Sequence, residues 1–133
     1  MVDQTAPLAS ALSAVVQGDL TGLPSVLSAD QADLIEAAAQ LPELRLTRRA
    51  TADVLQAWCD GRWSAKEVQK WASFVRRGFV AEQSAGPIRP VDITYDTDGE
   101  DTIVEIIARL DEIGDLVDGL VDEAEREDMI RRL

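Results

Sequence analysis

The chain contains no histidine, and Cys59 is the single cysteine among its 133 residues. Without an imidazole, a serine triad, a Cys–His nucleophile pair and a histidine-ligated zinc site are all excluded. One thiol forms no intrachain disulfide, which favours a reducing compartment. We therefore expect a non-enzymatic protein in which Cys59 is a semi-buried helix residue beside Trp58.

Signals for export, membrane insertion and nucleotide binding are also missing. No lysine or arginine precedes Arg45, so the chain lacks the positive region of a signal peptide. Its apolar runs are far shorter than the ~20 residues that cross a bilayer. Neither GxGxxG nor GxxxxGK[ST] occurs, so the common phosphate-binding loops are absent. These absences predict a cytoplasmic protein with no membrane span.

Apolar residues recur at helical spacing in five or six stretches, which predicts a helical protein. The most regular stretch follows Ser64, where Val68, Trp71 and Val75 share one face. Gly61, just before it, has the position of a left-handed residue after a helix. Three pairs have capping-box spacing and predict helix starts: Ser28 with Gln31, Ser64 with Glu67, and Thr102 with Glu105.

The segment over residues 84–100 differs from the rest, because its glycine and prolines exclude a regular helix. Val91, Ile93 and Tyr95 alternate with polar residues, but no second strand signal exists to pair with them, so we expect no sheet. The fold class is therefore all-α, a compact bundle of five or six helices with one extended, proline-containing crossing segment. It forms a single domain over residues 1–133, in which residues 1–27 are a candidate loosely packed helix and link.

Charge is distributed unevenly along the chain, which carries 25 acidic and 13 basic residues and a net charge of −12. Residues 1–44 contain acids and no base, residues 45–89 are basic, and residues 90–133 are strongly acidic. Two interpretations remain open. The basic middle is either neutralised by the acidic C-terminal helices of the same chain or presents a separate positive surface.

An acidic stripe is predicted on the C-terminal helices if they are continuous. Like charges at this spacing repel each other, so the stripe is either a solvated face or a surface that binds a basic protein such as a toxin or nuclease. Mimicry of nucleic-acid phosphates is a further alternative. The predicted partner-binding residues are Asp111, Asp115, Asp118, Asp122 and Glu125.

Direct nucleic-acid binding by the basic middle is not expected. Arginines and lysines lie near three tryptophans there, but Trp58 and Trp71 fall on apolar helix faces and Trp63 alone is placed for exposure. The net charge of −12 also repels phosphate at long range. We expect a protein partner and neither a nucleic acid nor a membrane.

Residues 94–105 match part of an EF-hand calcium loop. Asp96, Asp98 and Glu105 occupy ligand positions and Gly99 the turn position. Thr94 stands where the first aspartate belongs, and prolines interrupt the incoming helix. The alternatives are a calcium site and a polar Asp-Gly turn before a capped helix.

A carboxylate enzyme is the second functional class, for example a magnesium-dependent phosphohydrolase or another carboxylate metal protein. Asp30, Asp33 and Glu36 lie on one predicted helix and would need acids from the helix after residue 102. Such a site requires acids that face inward. These acids instead lie opposite the apolar face that contains Leu34, where solvent is expected.

Residues 54–79 form a helix, a turn at Gly61 and a second helix that starts at Ser64 and carries Trp71 and Ala72. This layout resembles small helical bacterial immunity proteins, including the colicin-D-immunity type. The resemblance implies a cytoplasmic protein that binds and blocks a cognate toxin through acidic side chains, and the net charge agrees with it. The sequence therefore predicts a non-enzymatic, acidic protein-binding module of immunity or antitoxin type.

Overall fold

Seven α-helices, one 3₁₀ turn and one pair of short strands form the part of the chain that this computed structural model describes, residues 5–79, 90–112 and 123–133. The all-α prediction is confirmed. The short α2 is one helix that the sequence did not indicate. In chain order the elements are α1 (Thr5–Val16), the 3₁₀ turn Leu20–Gly22, α2 (Leu23–Ser28), α3 (Gln31–Ala39), β1 (Arg45–Leu46), α4 (Arg48–Cys59), α5 (Ala65–Arg77), β2 (Thr94–Tyr95), α6 (Glu100–Asp111) and α7 (Glu123–Arg132).

The N-terminal helices contribute directly to the hydrophobic core. Leu12, Val15, Leu20 and Val26 are each at most 1% exposed. Asp19 caps the 3₁₀ turn, since its carboxylate accepts hydrogen bonds from the Thr21 amide at 3.0 Å and the Thr21 hydroxyl at 2.6 Å. These bonds stabilise the ionised form and lower the pKa of the Asp19 carboxyl. The region predicted as a loosely packed helix and link thus supplies several fully buried side chains.

Helices α4 and α5 form the predicted hairpin. The capping box at Ser64 is present, with the Glu67 amide donating to Ser64 Oγ and the Ser64 amide donating to the Glu67 carboxylate. Gly61 follows α4 in the left-handed region at φ +81°, as predicted. Trp71 is fully buried, and its Nε1–H donates to the Val15 carbonyl at 2.8 Å, which ties α5 to α1.

The other two predicted capping boxes do not form. Ser28 belongs to the last turn of α2, where its hydroxyl donates to the Ser25 carbonyl, so α3 begins after Asp30 instead. Helix α6 begins earlier than the Thr102 pair indicates, because Gly99 adopts the left-handed conformation and directs the chain into the helix at Glu100. Capping-box spacing alone therefore did not predict the start of the helix correctly at either position.

The expectation of no sheet is wrong. β1 and β2 pair in parallel, with Arg45 opposite Thr94 and Leu46 opposite Tyr95. The amides of Thr94 and Asp96 donate to the carbonyls of Leu44 and Leu46 at 2.8 and 3.0 Å. Two residues are too few to show a strand period, so the ladder depends on tertiary contacts rather than on local sequence. Residues 84–89 of the predicted crossing segment lie outside the described residues.

Helix α6 packs its apolar face against α5, and α7 packs on α4. Ile103, Ile106, Ile107 and Leu110 of the predicted stripe are buried, and Met129 joins them in the core. The other predicted stripe residues, Ile113 and Val117, fall outside the described part of the chain. No helix in the described ranges is long and apolar enough to cross a membrane.

Candidate functional site

An acidic surface lies along the solvent side of α6. At 3.6 residues per turn its members fall within an arc of about 140°, on one side of the helix. Val104 is 45% exposed in their midst, and it is the one large hydrophobic side chain exposed among the described residues. We call this surface the α6 acidic face; it consists of Glu100, Asp101, Val104, Glu105 and Glu112.

Most carboxylates of the α6 acidic face have no counterion in the described part of the chain. Glu105 accepts a hydrogen bond from Arg132 at 2.7 Å, and both side chains of this pair are well exposed. Glu100, Asp101 and Glu112 form no ion pair there. Glu100 and Asp101 lie in the first turn of α6, where the helix dipole favours negative charge. The face is therefore negative with an apolar centre.

Two residues of the predicted partner-binding stripe, Asp111 and Glu125, form ion pairs within the protein. Asp111 is only 6% exposed, because it lies against α5 and forms ion pairs with Arg76 at 2.9 Å and Arg77 at 2.8 Å. Glu125 pairs with Arg109 at 2.9 Å. The other three stripe residues lie outside the described residues and stay predictions: Asp115, Asp118 and Asp122.

Part of the basic middle of the chain is neutralised within the molecule. Besides the Asp111 contacts, Arg48 donates to Asp98 at 3.0 Å and to the Leu133 carbonyl at 2.6 Å. These contacts join α4 and α5 to the acidic C-terminal third, as the intramolecular interpretation of the charge pattern required. Lys66 and Lys70 form no ion pair among the described residues.

The three predicted calcium ligands point to basic partners and helix caps. Asp96 accepts a weak hydrogen bond from the Arg48 amide at 3.4 Å, while Asp98 and Glu105 pair with Arg48 and Arg132. Residues from Glu100 onward are already helical, so Glu105 lies in the second turn of α6. Over residues 5–79, 90–112 and 123–133, no group of three or more potential metal ligands comes together.

The predicted magnesium ligands of α3 face solvent. Asp30, Asp33 and Glu36 are all exposed, opposite the buried Leu34. Carboxylates that bind Mg²⁺ for phosphate chemistry converge in a shaped, partly closed site. This trio does not converge with acids of α6 in the described structure.

The tryptophans lie in or against the core. Trp58 is 8% exposed, and the Arg126 guanidinium stacks over its ring at 4.5 Å, which joins α7 to α4. Trp63, predicted to be exposed, is half-buried and packs against the core.

Sequence analysis missed the α6 acidic face, although a signal was present. Val104 falls outside the predicted apolar stripe, and a helix that begins at Glu100 brings it to the side of the acids. Placing the helix start three residues too late concealed this arrangement. No family model, no curated protein and no solved structure matches this chain.

Proposed function

We propose that this protein is a non-enzymatic, cytoplasmic binding protein that holds a basic protein partner on the α6 acidic face. The observation that carries the proposal is the exposed Val104 beside Glu100, Asp101 and Glu112, which form no ion pair with another described residue. A protein interface commonly has an apolar core and a polar rim. The carboxylates would steer a cationic partner, and Val104 would exclude water at the centre.

The class of partner that fits best is a basic toxin or nuclease. A protein that acts on nucleic acid carries a cationic surface for phosphates, and an acidic inhibitor occupies that surface. The resemblance of residues 54–79 to immunity proteins supports this assignment. These residues span the second half of α4 and all of α5, and α5 packs directly against α6. The hairpin would therefore be the scaffold that presents the acidic face.

The first experiment compares three tagged baits in lysate of the native host at low and moderate salt. They are the wild type, the double variant Glu100→Lys with Asp101→Lys, and the matched control Asp33→Lys with Glu36→Lys. Both doubles change net charge equally and alter two exposed acids of one helix, so they differ chiefly in which helix carries the change. We expect one basic protein on the wild type and the control, lost at higher salt and lost from the Glu100/Asp101 bait.

The captured protein is then purified and its affinity measured by calorimetry. We expect the Glu100/Asp101 variant to weaken binding by about tenfold or more and the control by less than about threefold. Circular dichroism establishes that both variants are folded. Equal retention by all three baits would place the partner elsewhere on the molecule. A wild-type bait that retains no basic protein would overturn the function itself.

A further inference from the structure

One arginine of α7 contacts the α6 acidic face. The Arg132 Nη2 atom donates to a Glu105 carboxylate oxygen at 2.7 Å, a distance typical of a charge-assisted hydrogen bond. Among the described residues this is the one ion pair that a carboxylate of the face forms. The only cation in contact with the face in that part of the chain therefore comes from the protein itself.

The position of Arg132 is set by contacts around the last turn of α7. Met129 is 3% exposed, so one side of the helix is buried in the core. The Leu133 carbonyl accepts from Arg48 at 2.6 Å, and Arg48 also pairs with Asp98, just before α6, at 3.0 Å. Arg48 thus joins the end of α7 and the start of α6 to the same residue of α4. This arrangement holds the Arg132 guanidinium beside α6.

The pair between Arg132 and Glu105 is exposed enough to exchange partners. The Glu105 side chain is 68% exposed and that of Arg132 is 39% exposed. Exposed ion pairs gain little free energy, because water solvates both charges and the paired side chains lose freedom. Asp111, by contrast, has a side chain only 7% exposed and pairs with two arginines. Glu105 can therefore exchange Arg132 for an external cation at small cost.

We propose that Arg132 is an intramolecular competitor of the basic partner, which occupies Glu105 in the free protein and is displaced when the partner binds. The inference rests on the proposed function, because it concerns the same α6 acidic face. A lysine or arginine of the partner would take the place of the Arg132 guanidinium beside Val104. Affinity is then lower than the bare carboxylates would give, because only molecules with a free Glu105 are ready to bind.

The test uses hexalysine as a defined cation and follows amide chemical shifts of the full chain at low ionic strength. An exposed pair of this kind would be closed for about half to four-fifths of the time. Arg132→Gln should therefore tighten hexalysine binding at residues 100–105 about two- to fivefold. The matched control is Arg131→Gln, which removes the same charge from an exposed arginine that pairs with Asp128 on α7. It should change the affinity by less than about 1.5-fold.

A double-mutant cycle separates competition from a change in net charge. Glu105→Gln removes the carboxylate for which the two cations compete, so Arg132→Gln should have no further effect in that background. Equal tightening by Arg132→Gln and Arg131→Gln would overturn the inference. An effect of Arg132→Gln that persists without the Glu105 carboxylate would overturn it as well. Urea unfolding establishes that all variants are folded.

The outcomes distinguish this inference from the proposed function. Shifts at residues 100–105 with equal affinity in the wild type and Arg132→Gln would overturn the competition and leave the α6 acidic face as the binding surface. Absence of shifts at these residues in every variant would overturn both. With the basic protein captured from lysate, the Arg132→Gln bait should retain it at higher salt than the wild type does.

Discussion

At the scale of single residues, two glycines have the same backbone conformation and different surroundings. Gly78 ends α5 at φ +78°, and a Cβ atom there would overlap the Val91 carbonyl oxygen. Its own carbonyl accepts from the Val91 amide at 2.8 Å and from Gln31 at 3.0 Å. Gly61 has φ +81°, but nothing lies within 4 Å of a Cβ at that position. Both glycines therefore have a backbone conformation that would strain another residue. Only at Gly78 would an added side chain also overlap neighbouring atoms.

This pair of glycines gives a direct prediction. Gly61→Ala should lower the free energy of unfolding by about 1 kcal/mol, the cost of a left-handed alanine. Gly78→Ala should cost about 3 kcal/mol or more, because the backbone must also separate from Val91. Urea unfolding followed by tryptophan fluorescence measures both losses. Equal losses in the two variants would contradict the close approach at Gly78.

The two glycines were not equally predictable. Gly61 stands between an apolar helical stretch and a capping box, so local sequence indicated its conformation. The need for a glycine at position 78 arises from Val91 and Pro90, which approach it from a distant part of the chain. Such a requirement has no local pattern, and sequence reasoning did not identify it.

At the scale of elements, helices with strong local signals were predicted well. Helix α5 has a capping box and a regular apolar face, and the structure contains both. Helix α4 begins at Arg48 after the Thr47 cap, earlier than its apolar residues indicated. The strands were missed, since their stability derives from pairing across the molecule. Predictions were therefore correct where several local signals agreed, and wrong where the structure depends on contacts between distant parts of the chain.

The 3₁₀ turn gives a prediction with a pH dependence. Asp19→Ala should lower the free energy of unfolding at pH 7 by about 1 kcal/mol, because the Thr21 amide loses its acceptor. The folded-state pKa of Asp19 is lowered from 3.8, so its ionised form stabilises the fold above that value. The stabilisation is lost as pH falls through the folded-state pKa. The difference between wild type and variant should therefore shrink below about pH 3.8.

The matched control for this turn is Asp30→Ala. Asp30 is also an exposed aspartate that precedes a helix, but its side chain makes no capping hydrogen bond. Its replacement should change the free energy of unfolding by only a few tenths of a kcal/mol. Thermal and urea unfolding between pH 2.5 and 7 measure both variants. A difference for Asp19→Ala that stays constant with pH would rule out the charged cap.

At the scale of the whole molecule, opposite charges hold distant parts of the chain together. Asp111, at the end of α6, forms ion pairs with Arg76 and Arg77 at the end of α5. Burial raises the pKa of the Tyr95 hydroxyl, which lies on the crossing segment and donates to the Val75 carbonyl at 3.5 Å. The uneven charge pattern of the sequence therefore has a role inside the molecule.

The Asp111 contacts predict a specific loss of stability. Asp111→Asn should cost about 1–2 kcal/mol, a discounted value because solvent screens the two half-exposed arginines. The control is Asp128→Asn, since Asp128 and Arg131 form an exposed pair at 3.6 Å. The control should lose less than about 0.5 kcal/mol. Equal losses in urea unfolding would show that burial of the Asp111 carboxylate contributes nothing.

The candidate sites were only partly accessible from sequence. Helical spacing gives the angular position of an acid, but it does not say whether a neighbouring helix covers it, as α5 covers Asp111. The α6 acidic face could have been predicted from the sequence if the start of α6 had been placed correctly.

The two-residue ladder of β1 and β2 has a consequence for the order of folding. Arg45 and Thr94 are about fifty residues apart, so their pairing closes a loop that contains all of α4 and α5. Closing such a loop costs more entropy than two strand residues return, and local contacts form first. We therefore expect the α4–α5 hairpin to assemble before the strands meet. The parallel ladder should then form as one of the last steps, when the helices have brought both segments together.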